Sequence, residues 1–111
     1  MKALRSLAPV AALVWIVGAA TSCAPEPPAR VEVEMTTLAF TPADVTVAVG
    51  DTLVWVNHDL VPHTVTSGEA IASGVIVSGE TFVFVPSVAG DLAYVCDYHP
   101  NMRGTIRVEA R

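Results

Sequence analysis

Cys96, His99 and Met102 set a thiol, an imidazole and a thioether at fixed spacing, in the segment Tyr94-Val95-Cys96-Asp97-Tyr98-His99-Pro100-Asn101-Met102-Arg103-Gly104. These are soft or borderline donors. They suit copper far better than calcium or magnesium, which take oxygen ligands, and two His with one Cys and a weak axial Met is the donor set of blue-copper sites. The second imidazole has to come from elsewhere. His63 follows a proline in Asn57-His58-Asp59-Leu60-Val61-Pro62-His63, so a rigid turn at the start of a strand can aim it into a loop packed beside the one that bears Cys96.

Each donor alone has an ordinary reading: a lone Cys at a strand end is a small hydrophobe, and a methionine fills gaps. The four together, on one pattern, favour a metal. His58 lies in the same turn as His63 and reads as an exposed or rim residue. Trp55 and Tyr94 read as core aromatics, with Phe82 and Phe84 as filling between layers.

The elements that must position these donors are strands. Val31, Val33 and Met35 alternate with Glu32 and Glu34, and Val45, Val47 and Val49 alternate with Thr46 and Ala48 before Gly50-Asp51. Thr52 to Val56 is apolar enough for a buried strand, and further strands are expected at His63 to Thr66, Thr81 to Val85, Leu92 to Cys96 and Thr105 to Glu109. Gly68 to Gly79 is apolar without clear period and reads as a loop with a short strand. No stretch of this region keeps a helical period. Seven or eight short strands separated by turn signals predict an all-β, two-sheet sandwich, because each strand has one face to bury and two sheets can bury each other.

At 111 residues the chain has room for one small domain, and its net charge of −5 argues against nucleic acid, which needs clustered Lys and Arg. Lys2 and Arg5 precede an apolar stretch from Leu7 to Ala20, which reads as an export signal over residues 1–22. Its end, Ala19-Ala20-Thr21-Ser22-Cys23, resembles a lipobox, with Cys23 becoming the lipidated first residue. Cleavage after Ala24 and an uncleaved anchor helix are the alternatives, and all three place the domain outside the cytoplasm. Residues 23–29 carry the proline run Ala24-Pro25-Glu26-Pro27-Pro28-Ala29, expected as a tether, and the folded domain is expected over 30–111. With Cys23 lipidated, Cys96 is the remaining thiol and no disulfide can form. From Cys23 onward four arginines and no lysine face all eleven carboxylates, a net charge of −7.

From roughly Arg30 to Glu109 the chain resembles the cupredoxins, and within them most the amicyanins and the related plastocyanins and pseudoazurins. The resemblance rests on the Asn-x-x-x-x-Pro-His segment from Asn57 to His63 and on the Cys96, His99, Met102 loop, whose two-residue gaps have the amicyanin-like length. It implies a Greek-key sandwich holding one type 1 copper ion, with Cys96, His63 and His99 as equatorial ligands and Met102 axial. It implies that Asn57 ties the two ligand loops together by hydrogen bonds. It also implies a docking patch for transient redox partners around His99, formed by Val61, Pro62 and Pro100 with Leu60 beside them. One departure stands in the loop: Tyr98 occupies the position before the second histidine where the family usually carries proline.

The function expected is one-electron transfer by a monomer, with no enzyme activity. The competing reading is a copper carrier, storage or sensing module. Such modules expose several Met or His ligands, whereas Met35 and Met102 are not clustered. A structural module in which the donors are incidental is the bland alternative. An enzyme is least favoured, since a binuclear copper centre would want a second Cys near Cys96 and a catalytic copper would want further His clusters.

Overall fold

The alternating segments pair as strands because one face of each is apolar. The computed structural model describes residues 3–4, 6, 8–18 and 26–111. Its strands are β1 (Arg30–Thr36), β2 (Ala39–Thr41), β3 (Asp44–Ala48), β4 (Thr52–Asn57), β5 (Thr66–Ser67), β6 (Ile71–Ala72), β7 (Thr81–Phe84), β8 (Gly90–Cys96) and β9 (His99–Glu109). One sheet has the order β2-β1-β4-β7 and the other β3-β9-β8-β5-β6. The β1/β4 and β3/β9 pairs are parallel, and the remaining pairs are antiparallel. The fold is therefore the expected all-β sandwich, with nine strands among the described residues where seven or eight were expected.

The inward-facing residues meet in a single core. Val33 and Met35 of β1, Leu53 and Trp55 of β4, Val45 and Val47 of β3, Tyr94 and Cys96 of β8, and Ile106 and Val108 of β9 are all buried in it. Non-polar area of this kind supplies most of what opposes chain entropy. Tyr94 packs edge-on against Phe40 and Trp55, at ring centroid distances of 4.6 and 5.6 Å. Its hydroxyl accepts the Trp55 indole N–H at 3.3 Å, so both polar tips are satisfied inside. Gly104, paired opposite Tyr94, makes room for the ring: a Cβ there would lie 2.3 Å from the ring carbon Cζ.

Three elements differ from expectation. The strand expected from His63 begins only at Thr66, because Pro62 has no N–H and the next amides bond outside a ladder. His63 exchanges both backbone bonds with Ile76, while the Thr64 N–H goes to Cys96 Sγ and the Val65 N–H to Ser73 Oγ. The last strand begins at His99 rather than Thr105, since Cys96 pairs directly with His99 across a two-residue turn. Val95 then pairs with Arg103, leaving Pro100, Asn101 and Met102 as a one-sided bulge. Finally, β2 follows β1 through Thr37 and Leu38, both with left-handed φ (51° and 59°). That is the backbone of a primed two-residue hairpin, which Asn-Gly normally signals and Thr-Leu does not.

The proline run is held at its end: the Ala29 N–H donates to Asp51 Oδ1 and Arg111 Nη1 donates to the Glu26 carbonyl, both at 2.8 Å. The described residues of the apolar N-terminal stretch form no helix or strand, and no described helix is long and apolar enough to cross a membrane. Cys23 lies outside the described residues.

Candidate metal centre

His63, Cys96 and His99, three of the four expected donors, meet at one end of the sandwich, and the fourth, Met102, is buried in the core that holds Cys96. Cys96 ends β8, His99 opens β9, and Met102 turns inward from the bulge that follows. Cys96 and His63 are fully buried, Met102 is 1% exposed, and His99 is half-buried. His63 Nδ1 stands 3.7 Å from Cys96 Sγ, and the His63 and His99 rings meet edge to face with centroids 5.3 Å apart. The close pair is His63 and Cys96. Among the described residues the group of three His, Cys, Asp or Glu donors mutually within 4.8 Å is a different one, the exposed Glu32, Glu34 and His58 on the outer surface, so His99 stands more openly to its pair. His58 itself is exposed, 3.8 Å from Glu34.

Hydrogen bonds hold the histidine turn in place. The Asn57 side chain is buried; it donates to the carbonyls of Val61 (2.9 Å) and Ile76 (3.0 Å) and accepts the Asp59 N–H (2.9 Å). The resemblance implied that Asn57 ties the two ligand loops together. These bonds instead fasten the His63 turn to the loop around Ile76. The tie to the Cys96 loop is Thr64, whose N–H donates to Cys96 Sγ at 3.4 Å and whose Oγ1 accepts the Asp97 N–H at 2.9 Å. Arg103 Nε donates to the Pro100 carbonyl at 2.8 Å and braces the bulge.

Behind His63 stands Asp59, which the sequence reading left without a role. Its carboxylate bonds to His63 Nε2 at 2.8 Å and accepts the N–H groups of Thr37 (2.7 Å) and Leu38 (3.0 Å). Burial pushes this carboxyl up, but the Leu38 amide, the His63 imidazole and the Thr37 amide outweigh it and hold Asp59 below the usual carboxylate value. An Asp four residues before a ligand-type His, across a proline turn, was the available signal. Thr64 had none, since its role depends on which loop packs against it.

The surface over this pole is apolar. Leu60 is 94% exposed, Tyr98 and Leu38 each 51%, and Val61 41%, with Pro62 and Pro100 also exposed. Leu38, Tyr98, His99, Pro100 and Met102 line a shallow depression there.

The donor set answers whether these residues suit copper. A buried thiol beside an imidazole nitrogen, a buried thioether and a second, half-exposed imidazole match the soft and borderline preferences of copper and offer no oxygen cage for a hard cation. A β-sandwich with such donors gathered at one pole is the architecture of a small metal-holding redox protein. The chain belongs to the cupredoxin-like domain family, which matches residues 8–108. It is 32% identical over 83 residues to the amicyanin of Paracoccus denitrificans, an alignment covering 69% of this chain and 63% of that protein, so the chain spans less than two thirds of that relative. A reduced Cu(I) form, at pH 4, of a proline-to-glycine mutant of amicyanin superimposes with a TM-score of 0.65 at 25% identity, covering 72% of this chain and 82% of that one. The copper-containing nitrite reductase of Thermus scotoductus gives a TM-score of 0.68 at 26% identity, over 76% of this chain but only 23% of the enzyme.

Proposed function

We propose that this protein is a blue-copper electron carrier that holds one type 1 copper ion on His63, Cys96, His99 and Met102 and passes single electrons between protein partners outside the cytoplasm. The observation that carries the reading is the buried approach of His63 Nδ1 to Cys96 Sγ at 3.7 Å, with a half-exposed second imidazole against the same ring. Copper, when bound, supplies a centre that alternates between Cu(II) and Cu(I).

The rest is the work of the chain. The core around Cys96 and Met102 is packed on both sheets, so the donors hold one arrangement rather than reshaping with each electron. The Thr64 N–H directed at Cys96 Sγ draws charge from the thiolate, and the apolar shell excludes water; both tune the potential. His99 offers the exposed edge through which an electron enters or leaves. Val61, Pro62 and Pro100 give that edge an apolar rim suited to small, short-lived encounters. The protein acts as a monomer, exported and held near a membrane by lipid on Cys23.

A carrier or storage module would expose its thioethers, whereas Met35 and Met102 are both buried. An enzyme would need more than this chain offers: its remaining histidine, His58, is exposed and lies outside the donor set. Electrochemistry separates the readings. Electron transfer predicts a reversible one-electron wave with copper retained through repeated cycles; copper released on each reduction would mark a carrier instead.

A further inference from the structure

Asp59 occupies a junction between the His63 turn and the strained β1–β2 hairpin. One carboxylate oxygen accepts the Thr37 N–H at 2.7 Å, and the other meets the Leu38 N–H at 3.0 Å and His63 Nε2 at 2.8 Å. The side chain is 16% exposed, against 0% for His63. A carboxylate can only accept, so His63 Nε2 carries the hydrogen, and in the neutral imidazole Nδ1, the nitrogen facing Cys96 Sγ at 3.7 Å, keeps its lone pair. The two amides it also caps belong to the residues with left-handed φ, and Leu38 borders the depression that contains His99.

We propose that Asp59 is a positioning residue of the metal centre, fixing the tautomer and tilt of His63 and locking the Leu38 turn to the same point. This rests on the copper reading. A carboxylate behind a ligating imidazole raises its donor strength, and removing such a partner typically weakens metal binding by roughly 10–100-fold. A stronger donor favours the more highly charged metal, so losing it shifts the potential to more positive values. The same carboxylate substitutes for the missing Asn-Gly signal of the hairpin by satisfying both turn amides, which couples the shape of the rim to the orientation of the ligand.

Two measurements on the full chain test this. In the metal-free protein, nitrogen-15 NMR of His63 should report the Nε2–H tautomer, lost or mixed in Asp59→Asn. In the copper-loaded protein, Asp59→Asn should bind copper roughly 10–100-fold more weakly and show a more positive potential. Asp51→Asn is the control: Asp51 caps the Ala29 and Ala48 amides at the other end of β4, so this variant should lower the melting temperature without moving the potential. An Nδ1–H tautomer in the unmodified protein would overturn the proposal, a result that does not depend on any variant folding. So would Asp59→Asn that melts earlier but keeps wild-type affinity and potential. If the unmodified chain gives no copper–thiolate band while the tautomer still depends on Asp59, the positioning role stands and the copper reading falls.

Discussion

Cys96, His99 and Met102 are candidate donors at local spacing, and Pro62 turns His63 towards them. Asp59 stands four residues before His63 in the same turn, whereas Thr64 acquires its role only when the Cys96 loop closes on it. Tyr94 illustrates the residue scale in energetic terms. Burial raises its hydroxyl to a pKa of about 12 from 10.0, the Trp55 N–H opposing and Asp44 adding to the shift. The folded state therefore holds the phenolic proton more tightly than the unfolded chain. Stability from this group is complete below pH 10 and is lost as pH rises towards 12, by roughly 3 kcal/mol. Tyr94→Phe removes that alkaline loss and, at neutral pH, costs about 1 kcal/mol by leaving the Trp55 indole without its acceptor. Urea titrations at pH 7 and 11 should show the variant less stable at the first and less pH-sensitive at the second; parallel pH dependence in both proteins would contradict it.

At the scale of elements, hydrophobic alternation located β1 and β3, each of which buries one face, and a continuous apolar run located β4, in which Leu53, Val54 and Trp55 are all buried. The misses share a cause. His63–Thr66 has strand-forming residues, but its amides are taken by Ile76, Cys96 and Ser73, and so pairing starts late. The Thr37-Leu38 hairpin carries no glycine, and its left-handed backbone is satisfied by Asp59 from another turn. The early start of β9 follows from the direct Cys96–His99 pairing, which turns the donor segment itself into a hairpin. Gly104 shows why that hairpin needs its particular sequence: any side chain there would enter the Tyr94 ring, which lies in the core two residues from Cys96. The bulge at Pro100–Met102 then returns Met102 to the interior, a rearrangement that no periodicity announces.

On the scale of the whole molecule, the proposed carrier role makes charge and attachment testable. A net −7 from Cys23 onward favours a partner with a positive docking face and predicts association that slows with added salt. Attachment is a separate proposal: Cys23→Ser should move the protein from the membrane fraction to the soluble fraction of the exporting cell, and an unchanged distribution would exclude the lipid. The central claim is tested most directly by the visible and EPR spectra of the Cu(II)-loaded chain beside a Cys96→Ala control. An electron carrier of this kind predicts an intense blue thiolate-to-copper band with narrow hyperfine splitting, bleached reversibly by reductant and absent from the control. A weak, ordinary copper spectrum that is the same in both proteins would contradict it.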